Sequence, residues 1–149
     1  MSIETISIRE GIYYDEDRKA HPYKWRIRAV AERKHGGKCH CPTLDFLHEQ
    51  YHNDARPRLT ALLEATSRSG PRWIDTKFKK VEGTDGLHEF KIFQLRLFCF
   101  LDGGDLIICT HGTVKKRDKA DPADIKTALA WQRAYFEAKN DNTLRHNET

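Results

Sequence analysis

Between residues 23 and 33 the chain alternates. Tyr23, Trp25, Ile27, Ala29 and Ala31 fall on one side of an extended backbone, and Lys24, Arg26 and Arg28 on the other. This period of two predicts a half-buried strand, ended by Gly36-Gly37. The period then changes: Leu44, Leu47 and Tyr51 recur at helical spacing behind Pro42. Leu59, Leu62, Leu63 and Thr66 repeat that spacing after a short polar break and stop at Gly70-Pro71, so the two stretches predict an αα-hairpin. Residues 73–81 read as a basic connector, and Gly83-Thr84-Asp85-Gly86 as a turn. The apolar run 87–101 is too long for one strand; a bend at Phe93-Gln94 makes it a hairpin. Asp102-Gly103-Gly104-Asp105 turns the chain again into a last strand over 106–114. Asp121-Pro122-Ala123-Asp124 opens a final helix with a cap residue, a first-turn proline and an early acid, and Ile125, Ala128, Leu129, Trp131, Tyr135 and Phe136 supply its apolar positions.

The order is strand, two helices, three strands, helix, which places the chain in the α+β class. At 149 residues it is long enough for one core. The core domain is expected over 21–140, with an N-terminal stretch 1–20 and a polar tail 141–149. The opening residues alternate weakly through Ile6, Ile8 and Ile12, as a short strand or an acidic arm does.

Charge sharpens this division. Residues 1–17 hold five acids (Glu4, Glu10, Asp15, Glu16, Asp17) against Arg9, a local −4, which leaves +8 on the rest of a chain whose net charge is +4. A basic body favours a polyanionic partner. The longest apolar run, residues 97–101, is far below the roughly 18 residues a membrane helix needs. The N-terminus lacks the basic and apolar regions of a signal peptide, so a cytoplasmic protein without membrane contact is expected. Cys99 and Cys109 sit in apolar strands as small hydrophobes. Cys39 and Cys41, with His35 and His40 nearby, are spaced too closely for a typical zinc pair and read as a reduced loop. No metal and no cofactor is expected.

The candidate chemistry lies where charge interrupts the apolar hairpin: Glu89, Lys91 and Arg96. Arg96, between Leu95 and Leu97, suits a phosphate because guanidinium matches its oxygens bidentately; the alternative is a cross-strand salt bridge to Glu89 or Asp102. Lys91 falls on the same face as Glu89, one pleat away. Glu89 is then a candidate base with Lys91 steering phosphate, or the two are a solvated ion pair. Lys115, Lys116 and Arg117 end the last strand as candidate phosphate ligands or proton donors, or as a solvated charged face. His111 is a titratable alternative. Lys77, Lys79 and Lys80, beside Trp73 and Phe78, have the basic and aromatic mix of an RNA surface, or form an exposed basic loop.

Taken in order, these features resemble the RelE/HigB-like toxins of type II toxin–antitoxin systems, within the RelE/ParE superfamily, and in particular their phage Gp49-like branch. The resemblance covers about residues 24–139. It is carried by Pro42, Asp45, Phe46 and Leu47 at the first helix, Lys80-Val81-Glu82-Gly83, and Asp85-Gly86-Leu87. Glu89, Arg96-Leu97-Phe98, Phe100-Leu101-Asp102-Gly103-Gly104, His111-Gly112-Thr113-Val114-Lys115-Lys116, and Pro122 with Ile125 complete it. It implies a small antiparallel sheet with an N-terminal helical hairpin and a C-terminal helix. It also implies a metal-independent, ribosome-dependent endoribonuclease that cuts mRNA and is held inactive by an antitoxin, with a chaperone as a further partner in some systems. The family's central arginine falls on Arg96, a strand cation on Lys91, and its late basic cluster on Lys115 and Lys116. Glu89 stands where better-known members carry a lysine. The competing implications are a ParE-like inhibitor of DNA gyrase without nuclease chemistry, and an inactive phage protein that only binds.

Overall fold

The computed structural model describes residues 2–49, 55–71, 77–116 and 121–147. In chain order its elements are β1 (Ser2–Arg9), β2 (Ile12–Tyr14), β3 (Ala20–Pro22), β4 (Arg26–Arg33) and β5 (Cys39–His40), then α1 (Pro42–His48) and α2 (Ala55–Ser69). There follow β6 (Phe78–Lys80), β7 (Leu87–Ile92), β8 (Leu95–Leu101), β9 (Leu106–Val114), α3 (Pro122–Asn140) and β10 (Arg145–Asn147). The main sheet runs β10-β1-β4-β9-β8-β7-β6, with β5 against β4, and β2 and β3 pair separately. All of its pairings are antiparallel except β1 with β10 and β4 with β9. The class is α+β, and the sheet is larger than the small antiparallel one expected.

The added strands come from the two ends of the chain. β1 lies inside the sheet between β10 and β4, so the opening residues form the strand of the two alternatives. β6 corrects the basic connector: residues 78–80 are the edge strand beside β7. The membrane question is narrower here: none of the described helices is long and apolar enough to cross a bilayer.

Burial on both faces explains the dense apolar runs. On one face Ile27, Ala29 and Ala31 of β4, Phe90 of β7, Leu97 of β8 and Cys109 of β9 pack with Phe46, Leu59 and Leu63 of α1 and α2. On the other, Val30, Leu87, Phe98, Phe100 and Ile108 pack with Ala128 and Tyr135 of α3. β4 is therefore not half-buried as its alternation suggested. Arg28, on its nominally polar side, is enclosed: its Nε donates to Thr5 Oγ1 (2.8 Å), its Nη2 to Thr5 O (3.0 Å) and Asn147 O (2.7 Å), and its Nη1 pairs with Glu10. Donors matched in this way offset the cost of burying a guanidinium.

The caps and turns follow the sequence closely. Asp121 caps α3, its carboxylate accepting from the Ala123 N–H, and Pro122 takes the first turn. α2 ends at Gly70, whose φ of +94° suits glycine. The β7–β8 turn is Phe93-Gln94, and Phe93 has a φ of +50°, a left-handed conformation costing a residue with a Cβ roughly 1–2 kcal/mol.

Gly112, in β9, marks a close approach: a Cβ there would lie 2.1 Å from the Phe46 ring. Gly112→Ala should destabilise the fold by about 1–3 kcal/mol as an overpacking change. Adding Phe46→Leu should return part of that loss in urea melts; full stability of Gly112→Ala alone would remove the α1–β9 contact as a constraint.

α3 is latched by Asp102, which accepts from Tyr135 Oη (2.5 Å) and Lys139 Nζ (2.8 Å). Burial by itself raises the Asp102 carboxyl, but the hydrogen bonds from Lys139 and Tyr135 outweigh it and hold the group below its ordinary value. Its stabilisation is thus full above the unfolded carboxyl's pKa of about 3.9 and is lost as pH falls through the lower folded value. Asp102→Asn should cost on the order of 1–3 kcal/mol at pH 7 and flatten the acid limb of stability against pH. An unchanged acid limb would show that Asp102 carries none of it.

Candidate functional site

Register assembles the site. Lys79 lies opposite Glu89 across β6 and β7, and Lys91 opposite Arg96 across β7 and β8. Arg96 lies opposite Thr113, and Phe98 opposite His111, across β8 and β9. Cross-strand partners share a face and alternate residues return to it. Lys79, Glu89, Lys91, Arg96, Phe98, His111 and Thr113 therefore share the face that carries α3, whereas Lys80, paired with His88, belongs to the opposite one. A one-residue bulge at Thr110 keeps His111 on the site face.

Arg96 is the centre. It is only 4% exposed, and its Nε stands 3.7 Å from Glu89 Oε1, an ion pair beyond hydrogen-bond length. Its Nη1 donates to the carbonyls of Phe93 (2.7 Å) and Leu95 (2.9 Å). Among the described residues, Arg96 Nε and Glu89 Oε2 are buried polar atoms with no hydrogen-bond partner. Burial draws the Arg96 pKa down and Glu89 opposes it; a guanidinium remains a cation at neutral pH regardless. Both readings of Arg96 are thus visible at once: a cross-strand ion pair, and a cation with unfilled donor capacity. Asp102, the other suggested partner, is engaged with α3.

Lys115 joins this group. Its backbone N–H donates to Gln94 O (2.6 Å), which fixes the end of β9 against the hairpin turn. Its amine is held below the ordinary lysine value, first by burial, then by repulsion from Arg96, with Lys91 and Lys79 adding to it and Glu89 opposing. Such a lysine gives up its proton more readily than a solvated one.

His111 stacks on Phe98, ring centroids 5.1 Å apart, with Nε2 3.3 Å from Asp124 Oδ1 in the first turn of α3. Burial lowers its pKa, while the Asp124 hydrogen bond partly restores it. Phe98, Thr113 and Asp124 were not among the site residues expected from the sequence. Phe98 and Thr113 come beside His111 and Arg96 through the β8–β9 register, which the bulge at Thr110 shifts by one residue from a count back from the Asp102–Asp105 turn; Asp124 reaches His111 only through the helix packing.

The remaining candidates are dispersed. Lys116 is exposed one residue past Lys115, and Arg117 and Trp73 lie outside the described residues. Lys77 is exposed, its carbonyl accepting from the Lys91 N–H at 2.8 Å. The Cys39 and Cys41 thiols are both pushed up by burial, Cys41 to about 11, so neither is a thiolate at neutral pH. Among the described residues no three His, Cys, Asp or Glu side chains gather as a metal site.

No curated protein matches the chain. The family described as Phage derived protein Gp49-like (DUF891) matches residues 47–133, a span that takes in Lys79, Glu89, Lys91, Arg96, Lys115 and Asp124 and leaves β1, β4 and β10 outside. With more than half of its length matched, the chain belongs to the phage-derived Gp49-like family, which is part of the RelE/HigB-like toxin group.

Proposed function

We propose that the protein is the toxin of a type II toxin–antitoxin system, a ribosome-dependent endoribonuclease that cuts mRNA without a metal and is restrained by a cognate antitoxin. The observation that carries this reading is a buried ion pair, Arg96 with Glu89, that leaves Arg96 Nε and Glu89 Oε2 without hydrogen bonds in a face that also holds Lys79, Lys91 and Lys115. A carboxylate oxygen without a donor keeps open acceptor capacity, and a guanidinium with a free N–H binds a phosphate oxygen.

The chemistry follows by position. Glu89 takes the proton of a ribose 2′-hydroxyl, and the 2′-oxygen forms a bond to the adjacent phosphorus. Arg96, with Lys91 and Lys79, stabilises the added negative charge on the pentavalent phosphate. The bond from phosphorus to the 5′-oxygen breaks as Lys115, whose pKa is lowered, gives that oxygen a proton. A 2′,3′-cyclic phosphate and a 5′-hydroxyl result. Lys77, Lys116 and Arg117 bind flanking RNA, and Lys80, on the other face of β6, serves the ribosome contact.

Induced expression with pulse-labelling tests the class. Protein synthesis should stop before DNA synthesis, with new mRNA 5′ ends; an early replication stop with DNA damage would instead support the gyrase-inhibitor reading. Arg96→Ala should abolish growth inhibition by slowing cleavage about 10²–10³-fold. A melt run alongside separates this from loss of the Phe93 and Leu95 hydrogen bonds: a folded Arg96→Ala protein with full toxicity would sink the assignment.

Glu89→Gln isolates the base. Ribosome binding should survive while single-turnover cleavage falls on the order of 10²-fold, because the amide keeps the shape and loses the proton acceptor. Wild-type rates across pH would remove Glu89 from the mechanism and move the base to His111.

A further inference from the structure

The tip of the β7–β8 hairpin is out of keeping with an ordinary turn. Two-residue turns of this kind favour glycine or asparagine where φ is positive. Here the position is filled by Phe93 at φ +50°, and the residue is 54% exposed, so burial of the ring does not offset the strained backbone. The strain is held from three sides. Arg96 Nη1 binds the Phe93 carbonyl, the Lys115 N–H binds the Gln94 carbonyl, and the Arg58 guanidinium of α2 stands 5.3 Å from the ring centroid. Two of these three restraints come from residues of the cationic face itself. Strain kept at a site by the site's own residues is the mark of a positioned group rather than a neutral turn.

We propose that Phe93 is a stacking platform for one unpaired base of the bound RNA, the base next to the phosphate held by Arg96 and Lys115. The inference rests on the nuclease reading above and adds a recognition element to it. An exposed ring at a hairpin tip with cations at its base is one way to hold single-stranded nucleic acid without reading its sequence. The ring, set against Arg58 on the α2 side, takes the base, and the cations of the α3 side take the backbone as the strand passes the tip. Arg58 polarises the ring and adds positive charge on the helix side. Because Arg96 grips the Phe93 carbonyl, the ring and the phosphate ligand are placed relative to each other by one side chain.

The test uses the full chain and ribosomes programmed with an mRNA made non-cleavable by 2′-O-methylation and carrying 2-aminopurine at successive positions. Wild-type protein should quench the fluorophore at one position. Phe93→Asn, which suits the left-handed backbone, should keep or raise the thermal midpoint yet abolish that quenching and weaken binding roughly 10-fold, within the range for loss of one stacked base. Phe93→Trp should restore both. Stacking releases no counterion, so the salt dependence of binding should be unchanged in Phe93→Asn but shallower in Lys115→Ala. Wild-type quenching and affinity in Phe93→Asn, with Lys115→Ala still weakened, would overturn the platform and leave the nuclease reading standing. Failure of the wild-type protein to bind programmed ribosomes would bring down both. A change in sedimentation of the free Phe93→Asn protein, with RNA binding intact, would reassign the ring to a protein contact and also overturn the inference.

Discussion

Helix α3 covers one part of a sheet face and begins where the charges begin, and this constraint organises the rest. Its apolar side, through Ala128 and Tyr135, packs on Val30, Leu87, Phe98, Phe100 and Ile108. Its first turn reaches His111 through Asp124. Past that contact the same face continues as Arg96, Lys91, Glu89 and Thr113. One set of strands thus supplies both a core and a site, divided only by how far the helix extends. The Asp102 latch to Tyr135 and Lys139 fixes the other end of that division. Because strands are stiff and their register is set by buried side chains, the charged half inherits its positions from the apolar half.

The same economy governs the acidic N-terminus. Its charge also reads as an acidic arm, yet several of its acids are engaged locally. Glu4 is buried and pairs with Arg33 Nε at 2.7 Å, Glu10 pairs with Arg28, and Asp15 pairs with His21 at 2.6 Å. The Arg33 hydrogen bond, opposed by burial, keeps the Glu4 carboxyl below its ordinary value. These acids answer cations of β4 and the neighbouring hairpin.

Local rules read well from the sequence wherever one residue type has one use. Pro42, Asp121-Pro122, Gly70 and the Gly103-Gly104 turn all stand where their backbone preferences put them, and the Phe93-Gln94 bend is where alternation broke, although Phe93 takes a φ its side chain disfavours. The partition of β7 and β8 also came from alternation; the proposed group of Glu89, Lys91, Arg96, Lys115 and Lys116 came from alternation and resemblance, and Lys116 stands exposed one residue past Lys115. What period two could not supply was long-range pairing. The parallel junctions of β1 with β10 and β4 with β9 join segments far apart in the chain, and no turn signal announces them. Arg28 misled for the same reason: an arginine opposite Ile27 looks solvent-facing until Thr5, Glu10 and Asn147 close over it. β6 was hidden by its composition, since Phe78-Lys79-Lys80 is short and basic, as an edge strand often is.

The departure at Glu89 becomes intelligible from the charges around it. The resemblance led to a lysine there, but position 89 lies opposite Lys79, one pleat from Lys91, and beside a guanidinium whose side chain is only 5% exposed. Lys115 already senses Arg96, Lys91 and Lys79 as repulsive neighbours. Two like charges 4 Å apart near a protein surface repel by roughly 4 kcal/mol, so a further cation at the centre of this group would press on Arg96 without relief. A glutamate there supplies the single negative charge that lets Arg96 be buried as an ion while leaving its Nε–H unbonded. The 3.7 Å separation matters for the same reason: it is close enough to offset the charge and too long to occupy the donor. In this chain the acid that permits the arginine is also the one we propose as the base, and under that proposal the stability of the hairpin and its chemistry rest on the same residue.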